Sequence, residues 1–388
     1  MRSSLGFHTM TLSMVLLKQE TSQLFQDFQR YHSDTDSIQM YPDGNQNCII
    51  KFRPNTRGIE WKIRQNIWSN SVNQFVNMID VTINPKILGG VTDYITAATF
   101  NDMERAILQF DAISKAISPI LRMFHQYKVK RIDYCVNLYL PELLDRWSIQ
   151  CSDIQIMKLI KRSDIPPAYR EWMKYDEKAH RMKSEDSSFY LICKSVRVNC
   201  YSKFMQQLQQ SDDNVKKGYQ PIPEVRLESA RRIIRFEVQC DYQKIYDLSQ
   251  RVTGSRNYYL NKCKFLLTSE ICRDIVNAFW FKTIGKGHWY TLKGAISIIK
   301  SQKFLKQKEN RLIEALQWVN QCRSIPKAKE AFPGDLDTFR RTLKELSTLG
   351  VNPVTIPKEW GVGRIWNLLE TYHNKVAEEN WCSLSHVY

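Results

Sequence analysis

Between residues 7 and 240 the chain returns repeatedly to short segments in which polar and apolar residues alternate. Only a β-strand turns a period of two into one apolar and one polar face. Phe7–Leu17 mixes such alternation with an apolar run, and Cys48–Phe52, Ile59–Ile63 and Phe75–Ile83 read as further strands. Pro54–Gly58 is a turn between two of them. Val129–Leu140 is strongly strand-like, Ser188–Tyr201 divides into two strands near Lys194–Ser195, and Arg231–Cys240 is another. Helical spacing interrupts these strands at three places. Glu20–Tyr31 carries Leu24, Phe25 and Phe28 on one face. A long helix capped by Asn101 runs to about Tyr127, with Pro119 as a kink point, and a third helix covers Asp153–Lys161. The polar stretch Gln206–Ser229 holds Gly218, Pro221 and Pro223 and reads as loop or insertion. This order predicts an α+β fold, a mostly antiparallel sheet with helices on one face, rather than a doubly wound one.

Near residue 260 the strand pattern stops. Thr291 is a cap for Leu292–Gln302, and Lys308–Cys322 carries a stripe through Leu312, Ala315, Leu316 and Val319. Pro326 opens a short helix to Phe332. Asp337 is read as the cap of Thr338–Leu349, which Gly350 closes, and a last helix spans Val362–Val376. The expected division is therefore an α+β domain over 1–260 and a helical domain over 261–388, with a helix-turn-helix at 326–349. On its second helix Phe339, Leu343 and Leu346 face a core, and Arg340, Arg341 and Lys344 face out. In a major groove those cations would meet phosphates or guanine edges; an ordinary amphipathic helix with a solvated basic face is the alternative.

The charge supports a polyanionic partner. Lys and Arg number 56 against 40 Asp and Glu, a net charge of +16. The excess is not a tail: residues 1–259 hold 36 basic and 28 acidic side chains, and 260–388 hold 20 and 12. Such a spread suits a surface that follows a long polyanion such as duplex or single-stranded DNA. The ten cysteines form no CxxC pair, so reduced thiols in a cytoplasmic protein are expected. Cys48, Cys135, Cys193 and Cys200 fall in strand-like runs and read as small core residues. No apolar run reaches the ~18 residues of a membrane span, so no membrane partner is expected.

Three strand-borne segments carry groups capable of chemistry. RIDYCVNLYL presents Asp133 and Asn137, VRVNCYSKFMQ has Tyr201 and Lys203 where its strand ends, and RIIRFEVQC sets Arg235, Glu237 and Gln239 opposite Ile234, Phe236 and Val238. Each alone reads first as a solvated sheet face. Together they put two carboxylates, a tyrosine and a lysine on one sheet. A tyrosine hydroxyl, with a pKa of about 10, is a poor nucleophile at neutral pH. Carboxylates can hold a divalent metal that polarises a scissile phosphate, and nearby cations can stabilise the developing charge. Attack by tyrosine then leaves a phosphotyrosine link and a free 3′ hydroxyl.

The order RID, then Y-x-K after a strand, then R-F-E-V resembles the phage and plasmid replication proteins of the gene II/X type, the rolling-circle initiators with one nicking tyrosine. Their string Y-(N/D)-K is similar to Tyr201-Ser202-Lys203, and their R-x-E strand to Arg235-Phe236-Glu237. Lys327–Gly350 (KAKEAFPGDLDTFRRTLKELSTLG) resembles their C-terminal segment. The resemblance implies a replication-initiator nuclease-like fold and site-specific nicking at a replication origin. It implies Tyr201 as nucleophile, Lys203 and Arg235 beside the phosphate, and Asp133 and Glu237 as ligands of Mg²⁺ or Mn²⁺. A host helicase and polymerase are the implied partners. The related superfamily shows two histidines flanking one apolar residue, and this chain has no such triplet; its seven histidines are isolated. Tyr134 and Tyr190 compete with Tyr201 for the nucleophile's role. A DNA-binding protein without catalysis, a regulator or a degenerate initiator, is the alternative function.

Overall fold

The computed structural model describes residues 3–385, apart from 33–36, 43–47, 54–57, 70–72, 92–94, 172–173, 177–180, 184–186, 217 and 254–265. Fourteen strands are described: β1 Ser4–Leu16, β2 Ser37–Pro42, β3 Cys48–Arg53, β4 Ile59–Ser69, β5 Gln74–Ile83, β6 Lys128–Tyr139, β7 Arg170–Glu171, β8 Lys174–Asp176, β9 Arg181–Lys183, β10 Ser188–Ile192, β11 Val196–Ser202, β12 Ile233–Asp241, β13 Trp289–Tyr290 and β14 Arg364–Ile365. Ten of them form one antiparallel sheet in the order β2-β3-β4-β5-β1-β6-β12-β11-β10-β7. Helices complete an α+β fold, and the C-terminal region is mainly helical. The chain folds as two compact units. One, the N-terminal unit, comprises Leu5–Cys135 and Glu237–Ile275. The other, the C-terminal unit, comprises Met1–Ser4, Val136–Phe236 and Val276–Tyr388.

In the N-terminal unit the alternation in β1 and β5 sets their register. Met10 faces Ile83, Leu12 faces Val81 and Met14 faces Ile79, all buried. A one-residue slip would turn these apolar side chains to the other face. The helix Lys18–Tyr31 lays Leu24 and Phe28 on the sheet. There Phe28 meets Phe52 at 4.6 Å, and Phe52 stacks on Trp61 at 5.9 Å. Burying an aromatic side chain of this size contributes about 2–3 kcal/mol. The second helix is shorter than the apolar spacing predicts. It spans Phe100–Ile117, is capped by Thr99 rather than Asn101, and ends at Ser118. Pro119 stops it instead of kinking it, because proline has no N–H to donate and clashes with the preceding turn. The short turn Phe124–Gln126 follows separately, with Phe124 and Tyr127 packed edge-on against Phe110.

In the C-terminal unit β10 and β11 pair as expected, Ser188 opposite Tyr201 and Tyr190 opposite Asn199. The polar stretch after them is helical rather than looped: Lys203–Lys216 and Glu224–Ala230 are both helices. The first buries Lys203, Gln207 and Ser211, four residues apart each time. Its inward stripe is polar, so no apolar periodicity announces it. Two further additions to the sequence reading are the helix Tyr242–Thr253, which belongs to the N-terminal unit, and the helix Ser269–Thr283, which enters the C-terminal unit at Val276. Trp280, fully buried, packs edge-on against Phe236 at 5.2 Å and donates from Nε1 to Asn367 Oδ1. Thr291 caps Leu292–Ser301, as its position predicts. Asp335, not Asp337, caps Leu336–Thr348 by accepting from Thr338 N, and Asp337 instead pairs with Arg340 one turn on. The last helix begins at Leu368, because Arg364 and Ile365 form the small ladder with β13. Residues 54–57 of the expected turn lie outside the described residues. Cys135 and Cys200 are buried, whereas Cys193 is only half-buried, and the Cys48 side chain lies outside the description.

Candidate metal centre

Asp133 lies on β6 and Glu237 on β12, and both belong to the N-terminal unit. Their side chains are not on a solvated sheet face. Asp133 is 1% exposed and Glu237 2%, and β12 is buried continuously from Ile233 to Val238. Alternation distinguishes two faces but not which of them meets water. The third member of the cluster is His8 of β1. Its Nδ1 lies 2.9 Å from Glu237 Oε2, and one ligand atom from each of the three residues falls within 4.8 Å of the others.

The surroundings fix the two carboxylates. Arg131, two residues before Asp133 on the same strand, grips it from both nitrogens, Nε to Oδ1 at 2.9 Å and Nη2 to Oδ2 at 3.0 Å. Thr9 Oγ1 donates to Asp133 Oδ2, and Gln239 Nε2 donates to Glu237 Oε1 at 2.8 Å. Thus His8 and Thr9, consecutive residues, reach the two carboxylates in turn, where the burial of β1 departs from simple alternation. Burial pushes the Asp133 carboxyl well above the usual range, and the neighbouring Glu237 charge pushes it further; Arg131 and Thr9 oppose the shift without cancelling it. Two buried carboxylates that repel one another are what a divalent cation relieves.

The donor set fits such an ion. Two carboxylate oxygens and one imidazole nitrogen could together ligate a divalent cation, with coordination positions left for further ligands. Ligand atoms at about 2.1 Å from a common ion lie within about 4.2 Å of each other, so the cluster needs only a small inward adjustment. Arg131 must then share the Asp133 lone pairs with the ion. His8 and Arg131 are about a quarter exposed and form the approach from solvent.

His8 is the functional candidate that sequence reading missed. The search for a paired-histidine motif passes over a lone residue. The available signal was its position, a histidine inside a strand whose neighbours Phe7 and Met10 are buried.

Tyr201, Lys203 and Arg235 belong to the C-terminal unit. Tyr201 is the penultimate residue of β11 and is 7% exposed. Lys203 opens the following helix, with Nζ donating to Gln206 Oε1 at 3.1 Å. Arg235 is fully enclosed and donates from Nε to Asn137 Oδ1 at 2.7 Å. Tyr190 is half-buried, and the pairing of β10 with β11 puts it on the same face of that ladder as Tyr201. Tyr134 is fully buried, and its hydroxyl donates to the Leu266 carbonyl at 2.9 Å. Arg340, Arg341 and Lys344 are exposed on the helix Leu336–Thr348, whose opposite side buries Phe339, Leu343 and Leu346.

The architecture is thus an α+β protein with a His–Asp–Glu cluster, its two carboxylates buried, that could hold a divalent ion. No family model matches the chain, and no curated protein matches its sequence. Among solved structures it is similar to the rolling circle replication initiator protein from Geobacillus stearothermophilus, at 10% sequence identity over 71% of this chain and 96% of that one, with a TM-score of 0.27.

Proposed function

We propose that this protein initiates rolling-circle replication of a phage or plasmid by nicking DNA at an origin. The His8–Asp133–Glu237 cluster is the observation that carries the reading. A carboxylate pair buried against its own repulsion costs stability, and holding an ion for phosphoryl chemistry is a use that explains it. A bound Mg²⁺ or Mn²⁺ would supply Lewis-acid polarisation of the scissile phosphate. Tyr201 is the proposed nucleophile. Its hydroxyl oxygen forms a bond to phosphorus, the bond from phosphorus to the 3′ oxygen breaks, and that oxygen leaves with a proton as the free 3′ hydroxyl. Lys203 and Arg235 stabilise the charge that develops on the phosphate. Enclosure of Tyr134 argues against it as the attacking group. Tyr190, half-exposed on the same ladder face, is the competitor to test.

Residues 1–260 carry the phosphate chemistry in this reading and 261–388 the duplex contacts, a division of segments rather than of compact units. A host polymerase extends the 3′ hydroxyl, and a host helicase opens the duplex ahead of it. No described helix is long and apolar enough to cross a membrane, and the seven cysteines whose side chains are described are free thiols, which suits the reducing cytoplasm. The burial of Tyr201, Lys203 and Arg235 favours a second reading, a DNA-binding regulator or degenerate initiator without catalysis. Incubation with supercoiled and single-stranded origin DNA decides between them. A nickase leaves a protein–DNA adduct that survives denaturation; binding without an adduct, in Mg²⁺ and in Mn²⁺, leaves the regulator.

Both readings require salt-sensitive DNA binding. If about six phosphates are neutralised, log K should fall with log salt concentration at a slope of about −5 on duplex DNA. An affinity that does not change with salt removes the nucleic-acid reading.

The exposed face of Leu336–Thr348 gives a separate test. Replacing Arg340, Arg341 and Lys344 together with alanine should weaken duplex binding by tenfold or more and reduce the salt slope by about 2 to 3, each phosphate contact contributing about 0.9. The thermal transition should stay in place, because all three side chains are exposed. Unchanged affinity assigns the duplex contacts to another element.

A further inference from the structure

A second constellation lies within the C-terminal unit, outside the residues assigned above. An open notch of about 580 Å³ is lined by Arg146, Trp147, Gln150, Gly363 and Arg364, with Asp145 and Gly361 completing it. Trp147 is 64% exposed, which is unusual for so large an apolar side chain. It is held out by a rigid turn. Asp145 Oδ1 accepts from Trp147 N at 3.1 Å, from Ser148 N at 3.0 Å and from Ser148 Oγ at 2.7 Å. Arg232 braces the same turn by donating to the carbonyls of Ile149 and Cys151.

One guanidinium group lies over the exposed indole and a second lines the same notch. Arg146 Cζ sits 4.7 Å from the Trp147 ring centroid. Arg364 Cζ sits 3.7 Å from that of Trp366, whose ring also meets His288 edge-on at 4.5 Å. Trp366 is half-buried and serves as a backing for Arg364, whose side chain is 41% exposed. Among the described lining residues the carboxylate is that of Asp145, which is taken up by the turn and by Arg364 Nη2 at 3.4 Å. The notch thus offers an open aromatic face, two planar cations and the Gln150 amide.

We propose that this notch holds one unpaired nucleotide of single-stranded DNA, its base stacked on Trp147 and its phosphate against Arg364 and Arg146. Base–aromatic stacking beside arginine is the general means of holding an unpaired strand, and every base has the required face. An acidic peptide would use the two cations but not the flat indole. The net charge of +16 favours a strand carrying a phosphate at every step. The proposal rests on the DNA-binding part of the reading above and not on nicking.

The test uses full-length protein in EDTA, where no metal-dependent nicking occurs, and a fluorescein-labelled oligothymidylate of about twelve nucleotides. Trp147→Ala should weaken its binding by about tenfold, the change expected from losing one base–aromatic stack. Trp147→Phe should retain most of the affinity. Gly363→Leu gives an independent variant. A Cβ at Gly363 meets nothing within 4 Å, and its backbone, unlike that of Gly361 at φ +67°, is outside the left-handed region. The fold should accept it, and the side chain should fill the notch with the same loss of binding. Duplex affinity should be unchanged in all three, and an oligonucleotide carrying 5-iodouracil should crosslink to Trp147 on irradiation. Wild-type affinity in both Trp147→Ala and Gly363→Leu overturns the proposal. So does an equal loss on duplex and single strand, or displacement of the oligonucleotide by polyglutamate as readily as by unlabelled oligothymidylate. If Trp147→Ala does not fold, Gly363→Leu and the crosslink decide. A protein that holds the oligonucleotide at Trp147 but never nicks refutes the nickase reading alone.

Discussion

Tyr201→Phe should abolish nicking and adduct formation while leaving DNA affinity and the thermal transition close to wild type. The swap retains the ring, which is 93% shielded at the end of β11, and removes only the hydroxyl oxygen that would bond to phosphorus. A nucleophile that forms the covalent intermediate has no substitute within the same step, so a loss of at least about 10⁴-fold is expected, comparable to removal of a catalytic serine. Raised Mn²⁺ should not restore activity, because the missing atom is the nucleophile and not a ligand. Gel electrophoresis under denaturing conditions reads both outcomes at once, the nicked circle and the shifted protein–DNA band. Nicking that survives Tyr201→Phe and fails in Tyr190→Phe would transfer the nucleophile to β10 and leave the reaction standing. Activity in both variants would remove tyrosine chemistry on this ladder.

Much of the sheet was legible because strand alternation is a local property. The strands at Phe7–Leu17 and Phe75–Ile83, and the break between β10 and β11 near Lys194–Ser195, follow from residues within a few positions of each other, whereas the pairing of β1 with β5 joins residues about 70 positions apart. What depends on distant parts of the chain was not legible. The helix Lys203–Lys216 buries lysine, glutamine and serine, so its inward face carries none of the apolar spacing that marks a helix. Asp335 and Asp337 are both plausible caps by residue type, and only the backbone geometry selects Asp335. At the candidate centre, Asp133 and Glu237 stood out as carboxylates in strands, and the fold brings both into one cluster. Their burial was hidden, because a polar strand face looks the same whether water or protein covers it. His8 was hidden more completely. Its partner Glu237 comes from the far end of the sheet-forming sequence, and no spacing motif joins them.

Mn²⁺ should stabilise the protein more strongly at pH 8 than at pH 6, and the cause lies in the proton held by the buried pair. Burial, and then the Glu237 charge, raise the Asp133 carboxyl to about 7 in the fold, against about 3.9 in an unfolded chain. Between those two values the folded state binds the extra proton. Stability without metal therefore falls as pH rises through this window, and the full cost of the ionised pair is present above it. An ion ligated by the pair takes the place of that proton, so binding releases a proton and its affinity grows with pH. At a Mn²⁺ concentration of about 100 times the dissociation constant the stabilisation is about 2.7 kcal/mol, readable as a rise in melting temperature of several degrees. Glu237→Gln should act with two signs. It removes the like charge, so the metal-free protein loses less stability as pH rises, and it removes a hard ligand, so the Mn²⁺ shift largely disappears. Asp133→Asn should also suppress the shift and the nicking, and raised Mn²⁺ should partly recover nicking in either carboxylate variant, since the other ligands persist. His8→Ala tests the residue that completes the cluster and should weaken Mn²⁺ by at least about tenfold. Calorimetric titration in two buffers of different ionisation enthalpy counts the released proton directly. Binding without proton release near pH 7, or an undiminished shift in Glu237→Gln, would place the ion elsewhere than on this cluster.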